Sequence, residues 1–247
     1  MRYFIELSYN GRAYHGWQNQ PNAISVQEVL EEALSTLLKE KIAIVGAGRT
    51  DSGVHAKQMF AHFNTVNKFS LEKLTYQLNS FLPNDIAVHD IFNVNEEAHA
   101  RFDAISREYK YKISLHKNVF SFNNSYYFKQ ELDVNKMNEA ARILFEYKDF
   151  ECFSKSNTDV KTYNCKILKA EWTYEANELV FTIKADRFLR NMVRAIVGTL
   201  IKVGIGKINT DELHDIIKSK NRSQAGASVP GHALYLEKIE YPKHIKI

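Results

Sequence analysis

Twice along this chain, alternating and amphipathic segments follow one another in the same order, and that order leaves few folds open. Arg2 to Tyr9 alternates polar and apolar side chains, as a strand with one buried face does. Ser25 followed by Glu28 reads as a capping box. The helix it opens carries Val26, Val29, Leu30, Ala33, Leu37 and Leu38 on one face and runs to about Lys39. Ile42 to Val45 is a short strand, and Gln58 to Asn64 returns as another. Ser70 caps a helix bearing Leu71, Leu74 and Leu78 that must end before Pro83, and Ile86 to Asn93 is a fourth strand. The sum is β-α-β-β-α-β, the ferredoxin-like plan.

The second half repeats it. Ser106 to Leu115 alternates as a strand, and Asp133 caps a helix with Met137, Ala140, Ala141 and Leu144 inside. Lys166 to Tyr174 and Leu179 to Ala185 form a hairpin around Ala176-Asn177-Glu178. Phe188 to Val203 reads as a long apolar helix stopped by Gly204. Thr210 opens a further short helix, and Ala233 to Tyr241 supplies the last strand. The expected class is α+β, with an N-terminal half at 1–103 and a C-terminal half at 104–247. No fixed-period repeat accompanies it, so the duplication is one of plan only.

Hydrophobic residues make up 45% and charged residues 25%, which excludes a disordered chain. The 33 basic residues outweigh 29 acidic ones by only +4, so a polyanionic partner requires the basic side chains to cluster on one surface. Cys152 and Cys165 fit neither a zinc ligand pair nor a C-x-x-C redox motif and read as reduced structural thiols. The N-terminus is charged within its first residues, and no stretch approaches the ~18 consecutive apolar residues of a membrane span. A cytoplasmic protein is expected. Gly206-Lys207 lacks the rest of a P-loop, and no H-E-x-x-H, G-x-S-x-G or Cys/His cluster occurs. Neither a cofactor nor a metal is indicated.

Chemistry concentrates in Ala47-Gly48-Arg49-Thr50-Asp51-Ser52-Gly53-Val54-His55-Ala56. Asp51 follows the guanidinium of Arg49 and is flanked by Gly48 and Gly53, glycines that permit positive φ and a close backbone approach. The carboxylate is an Asx-turn residue, or a nucleophile or base kept ionised by Arg49. Arg49 is in turn a phosphate ligand if Asp51 fixes its fork. Arg190 and Arg194 lie i and i+4 on the apolar helix, with Arg187 just before it. A solvated stripe accounts for Arg187 and Arg190. Arg194, set among Val193, Ile196 and Val197, is either part of that stripe or a buried guanidinium with an acidic partner, and Asp51 is a natural one if the two halves face each other across a cleft. Phe102, Tyr109 and Tyr111 accompany Arg101 and Arg107, an arrangement that holds single-stranded nucleotides by stacking and phosphate contact. Tyr109 and Tyr111 share a strand face, so at least one is a candidate for the core. Tyr14-His15-Gly16-Trp17-Gln18 is a base platform or a packed loop, and His55 reads as structural.

On these residues the chain resembles the tRNA pseudouridine synthase A family. The likeness runs through Tyr9-Asn10-Gly11, Gly16-Trp17-Gln18-Asn19-Gln20 and Ser25-Val26-Gln27 to the most specific block, Gly48 to Ala56. Leu82 to Ile86, Ala100-Arg101-Phe102, Arg107 to Tyr111, Asp149-Phe150, Phe188 to Arg194, Val197-Gly198 and Leu234-Tyr235-Leu236 follow in order. The resemblance implies two ferredoxin-like halves joined into one mostly antiparallel sheet with helices on one face, and an active site in the cleft between them. It implies a homodimer that uses no cofactor and isomerises uridine to pseudouridine at positions 38 to 40 of the tRNA anticodon arm. Asp51 would be the catalytic aspartate, Tyr109 would stack on the target base, Arg194 would pair with Asp51, and Arg49 would hold the flipped nucleotide. Arg107 and Arg190 would add substrate contacts. Gln58-Met59, Cys152 and Val229 to Ala233 depart from the family pattern, and the last of these bears on the backbone near the C-terminal strand. The alternative reading is a non-catalytic tRNA-binding or folding factor of the same ancestry. An unrelated enzyme acting on a small phosphorylated sugar is a third.

Overall fold

A computed structural model describes residues 1–156 and 160–247, and among them nine strands and five α-helices make a mostly antiparallel α+β architecture. Two units can be separated, Met1–Ile105 with Leu236–Ile247, and Ser106–Tyr235. The closing strand thus joins the first unit from Leu236 onward. Among the described residues no helix is long and apolar enough to cross a membrane.

The first unit holds β1 (Arg2–Tyr9), α1 (Val26–Leu38), β2 (Ile44–Gly46), β3 (His55–Asn64), α2 (Leu71–Phe81) and β4 (Ile86–Val94), closed by β9 (Leu234–Glu240). Its strands run in the order β4-β1-β3-β9, with β2 paired to β3. The run Tyr3-Phe4-Ile5 is buried on both sides, so β1 is more than the half-buried strand its alternation predicts. Tyr3 stacks on Phe63 at 5.5 Å on one face. On the other, Phe4 meets Phe92 at 5.8 Å and Tyr241 at 5.5 Å. Each fully buried ring or aliphatic chain contributes roughly 1.5–3 kcal/mol. Gln58, one of the departures, clips this second face: its amide nitrogen donates to Glu6 at 2.7 Å, and its oxygen accepts the Ile239 N–H at 2.9 Å.

Local signals set the helix ends. Ser25, Ser70 and Asp133 each accept a backbone N–H from three residues on. In α1 the buried row is Val26, Leu30, Leu34 and Leu38, joined by Ala33, while Val29 and Leu37 are half-buried. Four of the expected positions, Val26, Leu30, Ala33 and Leu38, therefore face the core, with Leu34 added to them.

The second unit holds β5 (Ser106–Ser114), β6 (Tyr126–Tyr127), α3 (Val134–Ile143), β7 (Ile167–Glu175), β8 (Glu178–Ala185), α4 (Met192–Gly204) and α5 (Thr210–Ser219). Its strand order is β5-β8-β7, and the short β6 pairs in parallel with β5. Register sets Tyr111, Phe181 and Trp172 side by side across three strands. The β7–β8 hairpin turns on Ala176-Asn177, with Ala176 at φ 52°.

Helix α4 differs from expectation at both ends. It begins at Met192, not Phe188, because Asn191 adopts a left-handed conformation at φ 66° that no continuing α-helix accepts. Arg187, Phe188 and Arg190 therefore lie in the connection before the helix, and Arg190 and Arg194 are not a helical i, i+4 pair. Gly204 is the last helical residue; the left-handed glycine is Gly206, at φ 70°. Cys152 and Cys165 are buried thiols without a disulfide, and burial pushes each up to about 12, consistent with inert core groups.

Candidate active site

Asp51 stands in the connection between β2 and β3, and its loop is clamped by the segment that follows β1. The Trp17 N–H donates to the Thr50 carbonyl at 3.3 Å, and the Gly53 N–H donates to the Tyr14 carbonyl at 3.3 Å. Tyr9 and Thr50 share a buried hydroxyl–hydroxyl bond of 2.8 Å. The Asp51 carbonyl accepts the Val54 N–H at 3.2 Å, closing the turn in which Gly53 takes φ 77°. His55 accepts the Gly11 N–H through Nδ1 at 3.1 Å, which is the structural role its surroundings predict. The two segments approach most closely at Gly11 and Gly16, where an added Cβ would lie 2.0 Å from the Val54 carbonyl oxygen and 2.3 Å from the Thr50 carbonyl oxygen, and Gly16 also takes φ 96°. Gly48 by contrast faces open space and has no left-handed φ, so of the two flanking glycines only Gly53 is required by the backbone.

This bracing settles the aromatic segment 14–18. Trp17 is 2% exposed and packs near Tyr9. Tyr14 is buried and donates its phenol to Asp85 at 2.5 Å; burial and that carboxylate raise its pKa well above the usual phenol. It is a packed loop, not a base platform. Asp51 itself is half-buried and Arg49 is exposed on the same loop.

The other expected site residues belong to the second unit. Tyr109 lies on β5 opposite Ile183, half-buried, with its ring edge-on to Phe188 at 5.1 Å and 90°. Phe188 itself lies in the connection before α4. Tyr111, two residues on, is fully buried and donates to the Pro230 carbonyl at 3.1 Å, and burial drives its pKa upward. Of the two tyrosines, Tyr111 is core and Tyr109 retains access to solvent.

Arg194 sits in the first turn of α4 and donates from Nε to the Val229 carbonyl at 2.7 Å, while the Val229 N–H returns to the Arg194 carbonyl at 3.3 Å. Adjacent carbonyls, Val229 and Pro230, thus hold Arg194 and Tyr111. The unusual stretch Val229 to Ala233 supplies both acceptors and then makes a 3-10 turn at Gly231–Ala233. Sequence reasoning missed this anchor; the glycines at 198 and 226, where backbone meets backbone, were the available signal. Arg107 reaches the Asp186 carbonyl at 2.9 Å, and the exposed Arg190 accepts the Lys155 N–H on its backbone at 3.0 Å. Asp51 and Arg49 thus share one loop of the first unit, whereas Arg107, Tyr109, Arg190 and Arg194 surround the β5 and α4 region of the second.

One buried titratable group lies in the first unit, outside these loops. His62 on β3 is 5% exposed, accepts the Ala100 N–H through Nδ1 at 3.1 Å, and packs beside His99. Burial foremost, then the nearby His99 and Arg2, lower its pKa from 6.5 to about 4, with Asp103 opposing. The unfolded chain therefore binds the extra proton first. The contribution of His62 is complete above pH 6.5 and is lost as pH falls toward 4, a loss of roughly 3 kcal/mol in all. Urea unfolding at pH 7 and pH 4 should show a smaller difference for His62→Asn than for the wild type. Equal differences would refute this.

The family model for tRNA pseudouridine synthase matches residues 7–103 and 140–242. The tRNA pseudouridine synthase A of Bacteroides fragilis is 54% identical over 99% of this chain and 98% of its own length. That of Parabacteroides distasonis is 53% identical over 99% and 97%, and that of Bacillus subtilis 41% identical over 98% and 99%.

Proposed function

We propose, from the premise that this chain belongs to the tRNA pseudouridine synthase A family, that it isomerises uridine to pseudouridine at positions 38, 39 and 40 of the tRNA anticodon stem-loop. The reaction breaks the N1–C1′ bond, turns the uracil and joins C5 to C1′. N1 gains a proton and C5 gives one up, so the change is internal and consumes no co-substrate. Asp51 is the carboxylate that acts at the sugar or the base to open the glycosidic bond. Tyr109 stacks on the target base and takes part in the C5 proton transfer. Arg194 is the counter-charge that pairs with Asp51, and Arg49 holds the extruded nucleotide. Arg107 and Arg190 meet phosphates.

One observation carries this reading: the Asp51 loop is fixed by backbone bonds on both sides, to Trp17 through Thr50 and to Tyr14 through Gly53. Catalysis by a positioned carboxylate needs that rigidity, because a displacement near 1 Å costs on the order of a hundredfold in rate. Taking the uridine out of the stack costs a few kcal/mol, which pocket contacts must offset. The enzyme works as a homodimer, a state that sedimentation of the purified protein reads directly.

Incubation with tRNA carrying C5-tritiated uridine is expected to release one tritium for each of positions 38, 39 and 40 that holds uridine. In cells lacking the protein, those positions should remain uridine. Unchanged pseudouridine in such cells would instead favour the tRNA-binding or folding factor.

A further inference from the structure

The turn after β4 is held by hydrogen bonds from several parts of the first unit. The Arg2 guanidinium donates to the Ala98 carbonyl at 2.8 Å, and the Tyr241 phenol donates to the Ala100 carbonyl at 2.5 Å. The Ala100 N–H donates to His62 Nδ1 at 3.1 Å, and the Arg101 N–H donates to His99 Nδ1 at 3.1 Å. Asp103 closes the turn by accepting the His99 N–H at 2.8 Å. Three parts of the first unit, β1, β3 and the C-terminal segment, thus converge on this short stretch. What they hold up is Phe102, which is 73% exposed. Its ring leans on His99 with centroids 4.3 Å apart, and the Arg101 guanidinium carbon lies 5.7 Å from its centroid. The braced turn thus presents an aromatic face and a guanidinium together at the surface.

We propose that Arg101 and Phe102 form a finger that binds an unpaired nucleotide of the tRNA, with His62 and His99 as its positioning residues. The Phe102 ring takes the face of the base, and Arg101 meets the adjoining phosphate. Both histidines accept backbone N–H bonds through Nδ1, which fixes the direction in which the two side chains leave the turn. Arg2, Asp103 and Tyr241 face the same cluster and complete its bonds. The inference rests on the tRNA reading and adds a contact outside the residues assigned above.

Fluorescence anisotropy with labelled tRNA tests it. Phe102→Ala should raise Kd about tenfold, and Phe102→Trp should restore the wild-type value. Arg101→Gln should reduce the slope of log K against log salt by about one. His99→Leu should weaken binding as Phe102→Ala does, whereas His99→Asn, which keeps an acceptor near Nδ1, should bind as the wild type. Tyr76→Ala removes a comparably exposed aromatic from α2 and should leave Kd unchanged. A Kd within twofold of wild type for Phe102→Ala, or an unaltered salt slope for Arg101→Gln, overturns the finger. Binding is read without turnover, so a wild-type protein that binds tRNA but releases no tritium would sink the proposed activity alone.

Discussion

Asp51→Asn should lower uridine isomerisation in tRNA by about a thousandfold or more, while the protein stays folded and still binds tRNA. The size follows from the chemistry: with no cofactor in the proposed reaction, one carboxylate opens the glycosidic bond, and an amide can neither attack nor accept a proton there. The retention of fold follows from the loop. Its clamps are backbone groups of Thr50, Asp51 and Gly53 together with the Tyr9–Thr50 hydroxyl bond, and asparagine leaves all of these in place. Asparagine also nearly matches aspartate in volume, so its melting temperature should lie close to that of the wild type. Binding should be equal or slightly tighter, because a negative charge facing phosphates has been removed. Tritium release under single-turnover conditions separates chemistry from binding. Full turnover by Asp51→Ala would refute the assigned role.

Legibility of this chain in its sequence tracks how local each determinant is. Caps at Ser25, Ser70 and Asp133 depend on one side chain and a backbone three residues away, and they form as expected. The start of α4 does not follow from composition, because nothing apolar distinguishes Phe188-Leu189 from Met192-Val193. The break comes from a single left-handed residue, Asn191, and only its tolerance for that conformation hinted at it. Burial of β1 on both faces was hidden because Phe4 is covered by Tyr241, more than two hundred residues away, a contact no local pattern encodes. At the site, the glycine-edged Asp51 loop was visible as a motif. Its mechanics were not: the sequence drew attention to Gly48 and Gly53, of which only Gly53 takes a left-handed φ, whereas the closest backbone approaches fall on Gly11 and Gly16 in the segment after β1. Arg194 was recognised as a candidate for a buried charge pair, with a solvated stripe as the alternative. That its Nε is anchored to the Val229 carbonyl became evident only once the chain was folded.

That anchor makes Gly198→Ala the substitution expected to damage the second unit most. Helix α4 passes the segment 225–229 backbone to backbone. A Cβ at position 198 would lie 1.9 Å from the Ala227 carbonyl oxygen, and one at position 226 would lie 2.5 Å from the backbone of Gly198 and Thr199. The Gly226 N–H also donates to Thr199 Oγ1 at 2.7 Å, inside the core. An added methyl cannot be absorbed by turning a side chain, because the obstacle is a peptide group; the segment must retreat by more than an ångström. Overpacking of this kind costs about 3 kcal/mol, to which the strained Thr199 bond adds about 1 kcal/mol. For a chain of this size, that should lower the melting temperature by on the order of 10 °C. The retreat also carries Val229 and Pro230 away from Arg194 and Tyr111, so activity in the surviving folded protein should fall by roughly a hundredfold. Gly48→Ala is the matched control for stability, since open space surrounds that position, and its melting temperature should stay near the wild-type value. If Gly198→Ala melts and turns over like the wild type, α4 does not depend on this close crossing, and the account of how Arg194 is held fails with it.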